Sequence, residues 1–162
     1  MDFEKLEQDY VDFPCLFESL MLSTINKKGL PHASYAPFII NGERCFYVYV
    51  SRLSEHTNNL LNGSSAAIML IDDESKTKNI YARRRLMYDC DIEHIERNCE
   101  HWKSVIALFA DRFGNLISML RELPDFELIK LRPTSGRFVV GFGAAYEVDK
   151  SNLFRLHPTP SK

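Results

Sequence analysis

At 162 residues, with 45% hydrophobic and 26% charged side chains, the chain has the length of one domain and enough apolar groups for a single core. A formal net charge of −2 removes any general electrostatic reason to bind nucleic acid or an acidic membrane, so functional charge has to come from local clusters. Asp2, Glu4 and Glu7 stand where a secretory leader carries base, no run approaches the ~20 apolar residues of a membrane span, and Cys15, Cys45, Cys90 and Cys99 lack paired spacing. The expectation is a cytoplasmic protein without disulfides.

In chain order, Phe3, Leu6, Tyr10 and Phe13 fall at helical spacing, and Pro14 closes that segment. Residues 20–25 alternate as a strand, Asn26 to Gly29 supply turn chemistry, and 30–40 return as the partner. Asn41-Gly42 is a two-residue hairpin signal leading into the β-rich run 45–50. Ser54 is placed to cap a short helix through Leu61, stopped by Asn62-Gly63. Residues 66–71 are apolar throughout, which suits a strand buried on both faces. Residues 80–92 read as a further strand carrying Arg83, Arg84 and Arg85, with Arg83 and Arg85 on one face.

Trp102, Val105, Ile106, Phe109, Phe113, Leu116, Ile117 and Leu120 step by three and four along one face, predicting a single long amphipathic helix that ends before Pro124. A closing hairpin is expected from 126–131 and 138–148, turning at Pro133 to Gly136, and the polar tail from Ser151 reads as mobile. Short strands, tight turns and one long helix indicate an antiparallel barrel with helical cover.

Four segments then carry a family likeness: Ser34 to Phe38, Ser51 to Leu60, Ala82 to Leu86, and Gly141 to Tyr146. In this order and spacing they resemble the haem-utilisation branch of the pyridoxamine-phosphate-oxidase-like, FMN-binding split-barrel superfamily, over most of the chain. The resemblance implies a mainly β fold with α, a split β-barrel with one long amphipathic helix, working as a homodimer with its ligand between subunits. It divides the chain into an N-terminal helical segment (1–14), the barrel (15–150) and a C-terminal tail (151–162).

The resemblance also assigns candidate residues. Ser51, Arg52, Ser54 and Thr57 surround a helix start able to hold a phosphate or carboxylate, and an ordinary capped helix fits the same residues. His56 stands where flavin-binding relatives tend to carry lysine. Arg83 and Arg85 suit haem propionates or a flavin phosphate, the alternative being a solvated strand edge. Tyr35 is placed to pack on a flat ring. Asp125 takes the position of an acid that supports a ligating imidazole, a plain helix-to-strand turn residue being the alternative. His157, the one tail histidine, is the candidate haem-iron ligand, displaced from the family's terminal Gly-His, the alternative being a solvated histidine without a role.

Three functions follow from the resemblance: haem binding at a dimer interface with oxidative haem degradation by a haem-degrading oxygenase, an FMN-dependent oxidoreductase, or a haem-binding or storage protein without catalysis. A zinc site from Cys90, His94, Cys99 and His101 matches no common ligand spacing.

Overall fold

The computed structural model describes residues 2–159. Its elements in order are α1 (Phe3–Asp12), a 3-10 turn (Phe13–Leu16), β1 (Ser19–Ile25), β2 (Pro31–Ile40), β3 (Phe46–Ser51), α2 (Glu55–Asn62) and β4 (Ser65–Ile71). After 3-10 turns at Glu74–Lys76 and Ile80–Ala82 come β5 (Arg85–Ile95), α3 (Glu100–Phe113), α4 (Asn115–Leu120), β6 (Phe126–Gly141), β7 (Ala144–Val148) and β8 (Leu156–Pro158). Among the described residues no helix is long and apolar enough to cross a membrane, and the four cysteines are free.

The strands form one antiparallel sheet in the order β3-β2-β1-β4-β5-β6-β7-β8, and β3 also pairs with β6. That extra pairing, from Phe46↔Leu131 to Ser51↔Phe126, closes six strands into a barrel and leaves β7 and β8 as an extension of the far half of β6. The expected mainly β barrel with helices is therefore present, with several differences in detail.

One core fills the barrel with Leu20, Leu22, Phe38, Phe46, Val48, Ile68, Leu70, Leu86, Ile129 and Phe138. It is stoppered at one end by Leu6, Tyr10 and Phe13 and at the other by Leu60 of α2. A second core lies outside the barrel, where Trp102, Val105, Ile106, Phe109 and Ile117 of α3 and α4 cover Tyr47, Tyr49 and Leu128. Thus β3, inside the barrel and under the helices, is the strand buried on both faces. The strand expected to be so, β4, alternates instead, and its outward Ala67, Met69 and Ile71 stay partly exposed.

The long helix is broken at Gly114, whose φ of +71° and ψ of −147° lie where only glycine sits without strain. The Asn41-Gly42 turn is longer than a two-residue hairpin. Asn41 Oδ1 accepts from the amides of Glu43 (3.1 Å) and Cys45 (2.9 Å), and the left-handed residue is Arg44, with φ +59°. Arg44 takes that conformation with its guanidinium inside the protein, 3% exposed, donating to Tyr88 Oη at 3.0 and 3.3 Å and to the Val11 carbonyl at 3.1 Å. Tyr88 and Tyr10 hydroxyls are 2.5 Å apart, and Tyr10 donates to the Leu153 carbonyl at 2.6 Å. With Tyr88 donating to Tyr10, each of these buried groups is satisfied, and the chain of bonds ties α1, the β2–β3 turn, β5 and the C-terminal segment together.

Residues 133–136 form no turn. β6 runs through them, with a register shift opposite Asp89 and Cys90 that accommodates Pro133, a residue lacking the N–H a regular ladder needs. Gly136 is required by packing: a Cβ there would sit 2.4 and 2.6 Å from ring carbons of Tyr88. Because Tyr88 is held by Arg44 and Tyr10, the ring has no room to retreat. Gly136→Ala is expected to lower unfolding free energy by about 2–3 kcal/mol, read as a shifted midpoint in urea denaturation.

Candidate functional site

Sheet register creates the main surface feature. With side chains alternating across each strand, one rung of cross-strand neighbours runs Tyr35–Met21–Met69–Met87–Arg137–Glu147–His157 over seven strands. A parallel rung runs Ala33–Ser23–Ala67–Asp89–Ser135. α3 and α4 cover the opposite half of the barrel, so this outward face stays open. Met21 is 51% and Tyr35 65% exposed. Between the rungs lies a concave, mostly apolar cavity of about 580 Å³, lined by Met21, Ala33, Ala67, Met69, Met87 and Arg137 among others.

A second cavity of about 520 Å³ adjoins it through the shared Met87 and Arg137. Arg85, Val139, Gly141 and the outward rings of Tyr81 and Phe142, 86% and 84% exposed, complete its wall. Together they make a groove with flexible thioethers on its floor and two guanidiniums at one end. Such a surface suits a flat, mostly apolar molecule carrying acid groups at one edge.

The structure gathers Tyr35, Arg85 and His157 onto this face of the sheet and sends the other candidates elsewhere. Arg83 and Arg84 precede β5, because a 3-10 turn capped by Asn79 occupies Ile80–Ala82. Arg83 donates to the Asp72 carbonyl (2.7 Å) and pairs with Glu74 (3.0 Å), so it does not share a strand face with Arg85. Arg84 pairs with Asp72 at 3.0 Å and lies over the Phe13 ring.

Around the start of α2 the polar groups bond one another. Ser51 Oγ donates to Asp125 Oδ2, Arg52 pairs with Glu127 at 2.6 Å, and Thr57 Oγ1 donates to the Ser51 carbonyl at 2.6 Å. Ser54 occupies the cap position without a side-chain cap bond, and Glu55 brings negative charge to the first turn. This segment is therefore poorly equipped for a phosphate.

His157 is not on a mobile tail. Leu156–Pro158 pairs with β7, Glu7 accepts from the Leu156 amide (2.9 Å) and from Arg155 (2.7 Å), and His157 Nε2 is 2.7 Å from Asp149 Oδ2. Hydrogen bonds from Ser151 and His157 hold the Asp149 carboxyl well below the usual carboxylate range. Asp125 sits at the start of β6, separated from the Arg137 rung by roughly 35 Å of extended strand, so one chain does not bring Asp125 to His157. Of the cysteines and histidines between 90 and 101, Cys90 is buried in the barrel, His94 bonds Glu127 (2.7 Å), Cys99 caps α3, and His101 bonds Tyr47 (3.0 Å).

Comparison with known proteins decides the lineage of this barrel. Residues 6–140 match the pyridoxamine 5'-phosphate oxidase family. The chain belongs to that family. Within it, this member is 40% identical to the heme oxygenase HutZ of Vibrio cholerae over 149 residues, 92% of this chain and 84% of that protein. A crystal structure of Vibrio cholerae HutZ, described there as a heme storage protein, superposes with a TM-score of 0.75 at 38% identity, covering 79% of this chain and 89% of that one. Campylobacter jejuni ChuZ superposes with a TM-score of 0.84 at 34% identity, covering all of this chain and 67% of that one.

Sequence reasoning missed Met21, Met69, Met87, Arg137 and Glu147, each an unremarkable outward strand residue until register aligns it with the others. His56 lies outside this groove, on α2 beside His32, whose Nε2 is 3.6 Å from Glu55. Burial, and then the neighbouring His32, push the His56 imidazole below its ordinary 6.5. A depressed folded value means that the neutral imidazole stabilises the fold. That contribution is complete above 6.5 and is lost as pH falls through the folded value. Thermal stability is expected to drop as pH is lowered from about 7 to 5, and His56→Gln to flatten that drop, measured as melting temperature against pH.

Proposed function

We propose that this protein binds haem in the methionine-floored groove between two copies of itself. The rung Tyr35–Met21–Met69–Met87–Arg137–Glu147–His157 carries the reading, since it lays aromatic, thioether, guanidinium and imidazole groups in one line on the open face. The family relative Vibrio cholerae HutZ supports it, being described both as a heme oxygenase and as a heme storage protein.

The residues present fit such a ligand. Met21, Met69 and Met87 provide an apolar, adaptable floor, Tyr35, Tyr81 and Phe142 offer ring faces, and Arg85 faces the acid groups. His157 would supply the imidazole for the iron of a haem seated on the partner copy's floor, since it stands two strands beyond Arg137 from the methionines of its own chain. Its bond to Asp149 orients it. When bound, haem supplies the redox and oxygen chemistry. The protein orients the ring, neutralises its carboxylates and screens one face from water. Catalytic ring opening and simple storage would use this same site, and the one relative HutZ carries both descriptions.

An open face holding the exposed Met21 and Tyr35 and the half-buried Met69 and Met87 favours a homodimer, because a second copy laid over it removes apolar surface from water and roofs the groove. With β8 docked on its own sheet, any contact between Asp125 and His157 is made between copies. FMN, which the family also accommodates, is less favoured, because Ser51, Arg52 and Thr57 spend their polar groups on Asp125, Glu127 and the backbone.

Haem titration followed by absorption tests the reading. A saturable Soret band is expected, reduced or shifted in His157→Ala; a spectrum unchanged by that substitution removes His157 as ligand, and visible flavin bands in the purified protein favour FMN. Light scattering is expected to give twice the chain mass at micromolar concentration. Met69→Asp places a charge at the apolar contact, so it should yield monomer and weaken haem binding at least tenfold.

A further inference from the structure

Arg137 lies where the two cavities meet and lines both of them. The register pairs Met87 with Arg137 and Arg85 with Val139, so Arg85 and Arg137 are diagonal neighbours on adjacent strands and the same face. Diagonal positions of this kind hold their Cβ atoms about 7–8 Å apart. Haem carries its two carboxylates side by side on one edge, a separation that two such guanidiniums can span. We infer that Arg137 is the second arm of a two-guanidinium clamp, with Arg85 the first, which selects ligands bearing paired carboxylates. The inference rests on the haem reading above and adds to it the residue that discriminates among porphyrins.

Arg137 is available for that role. Its one charged partner among the described residues is Glu147, at 3.7 Å, with both side chains roughly half exposed. A pair so long and so well solvated holds the guanidinium weakly. A ligand carboxylate arriving over Met87 makes shorter, forked bonds and displaces Glu147. Arg85 is likewise without a carboxylate partner among the described residues, donating instead to the Arg83 carbonyl at 2.9 Å. Arg83 and Arg84, by contrast, are already neutralised by Glu74 and Asp72. Among the described arginines at 83–85 and 137, the two in the clamp are the ones without a close carboxylate partner. Glu147 sets the selectivity from the other side: it repels any acid that fails to displace it.

The test titrates full-length protein with haem and with haem dimethyl ester, which has the same ring and iron but no carboxylates. Arg137→Gln is expected to weaken haem binding about tenfold and leave the ester unaffected, with its melting temperature unchanged. Glu147→Gln, which frees Arg137, is expected to tighten haem binding severalfold, an effect that a purely structural Arg137–Glu147 pair does not produce. Equal haem affinity in Arg137→Gln and the parent, or equal losses for haem and ester, overturns the clamp and leaves the haem reading standing. A parent protein that gives no Soret band with haem overturns both.

Discussion

Ring closure between β3 and β6 is the constraint on which the rest depends. Six antiparallel bonds' worth of register, Phe46 to Ser51 against Leu131 to Phe126, converts an open sheet into a barrel and gives β3 a buried position on both faces. It also fixes β6 so that one half is a barrel stave and the other half a platform for β7 and β8. Without that closure, Phe46, Val48 and Val50 would lose their common interior, and α3 would have no curved surface to cover with Trp102 and Phe109.

Helical cover is unequal, and function follows from the inequality. α3 and α4 bury the outer face of β3 and its neighbours, while the outer face of β1, β4 and β5 carries Met21, Met69 and Met87 with no helix among the described residues above them. Apolar side chains left outside a well-filled core call for a cover, and on the proposed reading a ligand and a second copy provide it. The β7–β8 extension then carries Glu147 and His157 onto the same rung, held from behind by Glu7, Tyr10 and Asp149. Stability and site construction meet at Tyr88, whose hydroxyl closes the Arg44–Tyr10 network inside the barrel while its strand neighbour Met87 faces the groove.

Much of this was legible from the residues in order. The barrel class, the β1–β2 hairpin, the short helix after β3 and the apolar stripe of α3 all declare themselves through local periodicity and turn chemistry. The errors have local explanations too. Pro133 to Gly136 has the composition of a turn but is a continuous strand with a bulge, because the glycine answers the Tyr88 ring rather than a chain reversal. The arginine run has the composition of a strand edge, and nothing in 80–84 announces that Asn79 caps a 3-10 turn.

By itself the sequence determined the fold class and the lineage, and it singled out Tyr35, Arg85 and His157, residues whose chemistry marks them wherever they fall. Only the tertiary structure decided which of the candidates share a face, because cross-strand neighbours are set by register between segments as far apart as Met21 and Met69, or Met87 and Arg137. A methionine on a strand has no signature of its own. Three of them abreast, beside an arginine whose partner is loosely held, come from the pairing of distant strands, and local periodicity carries no information about that pairing.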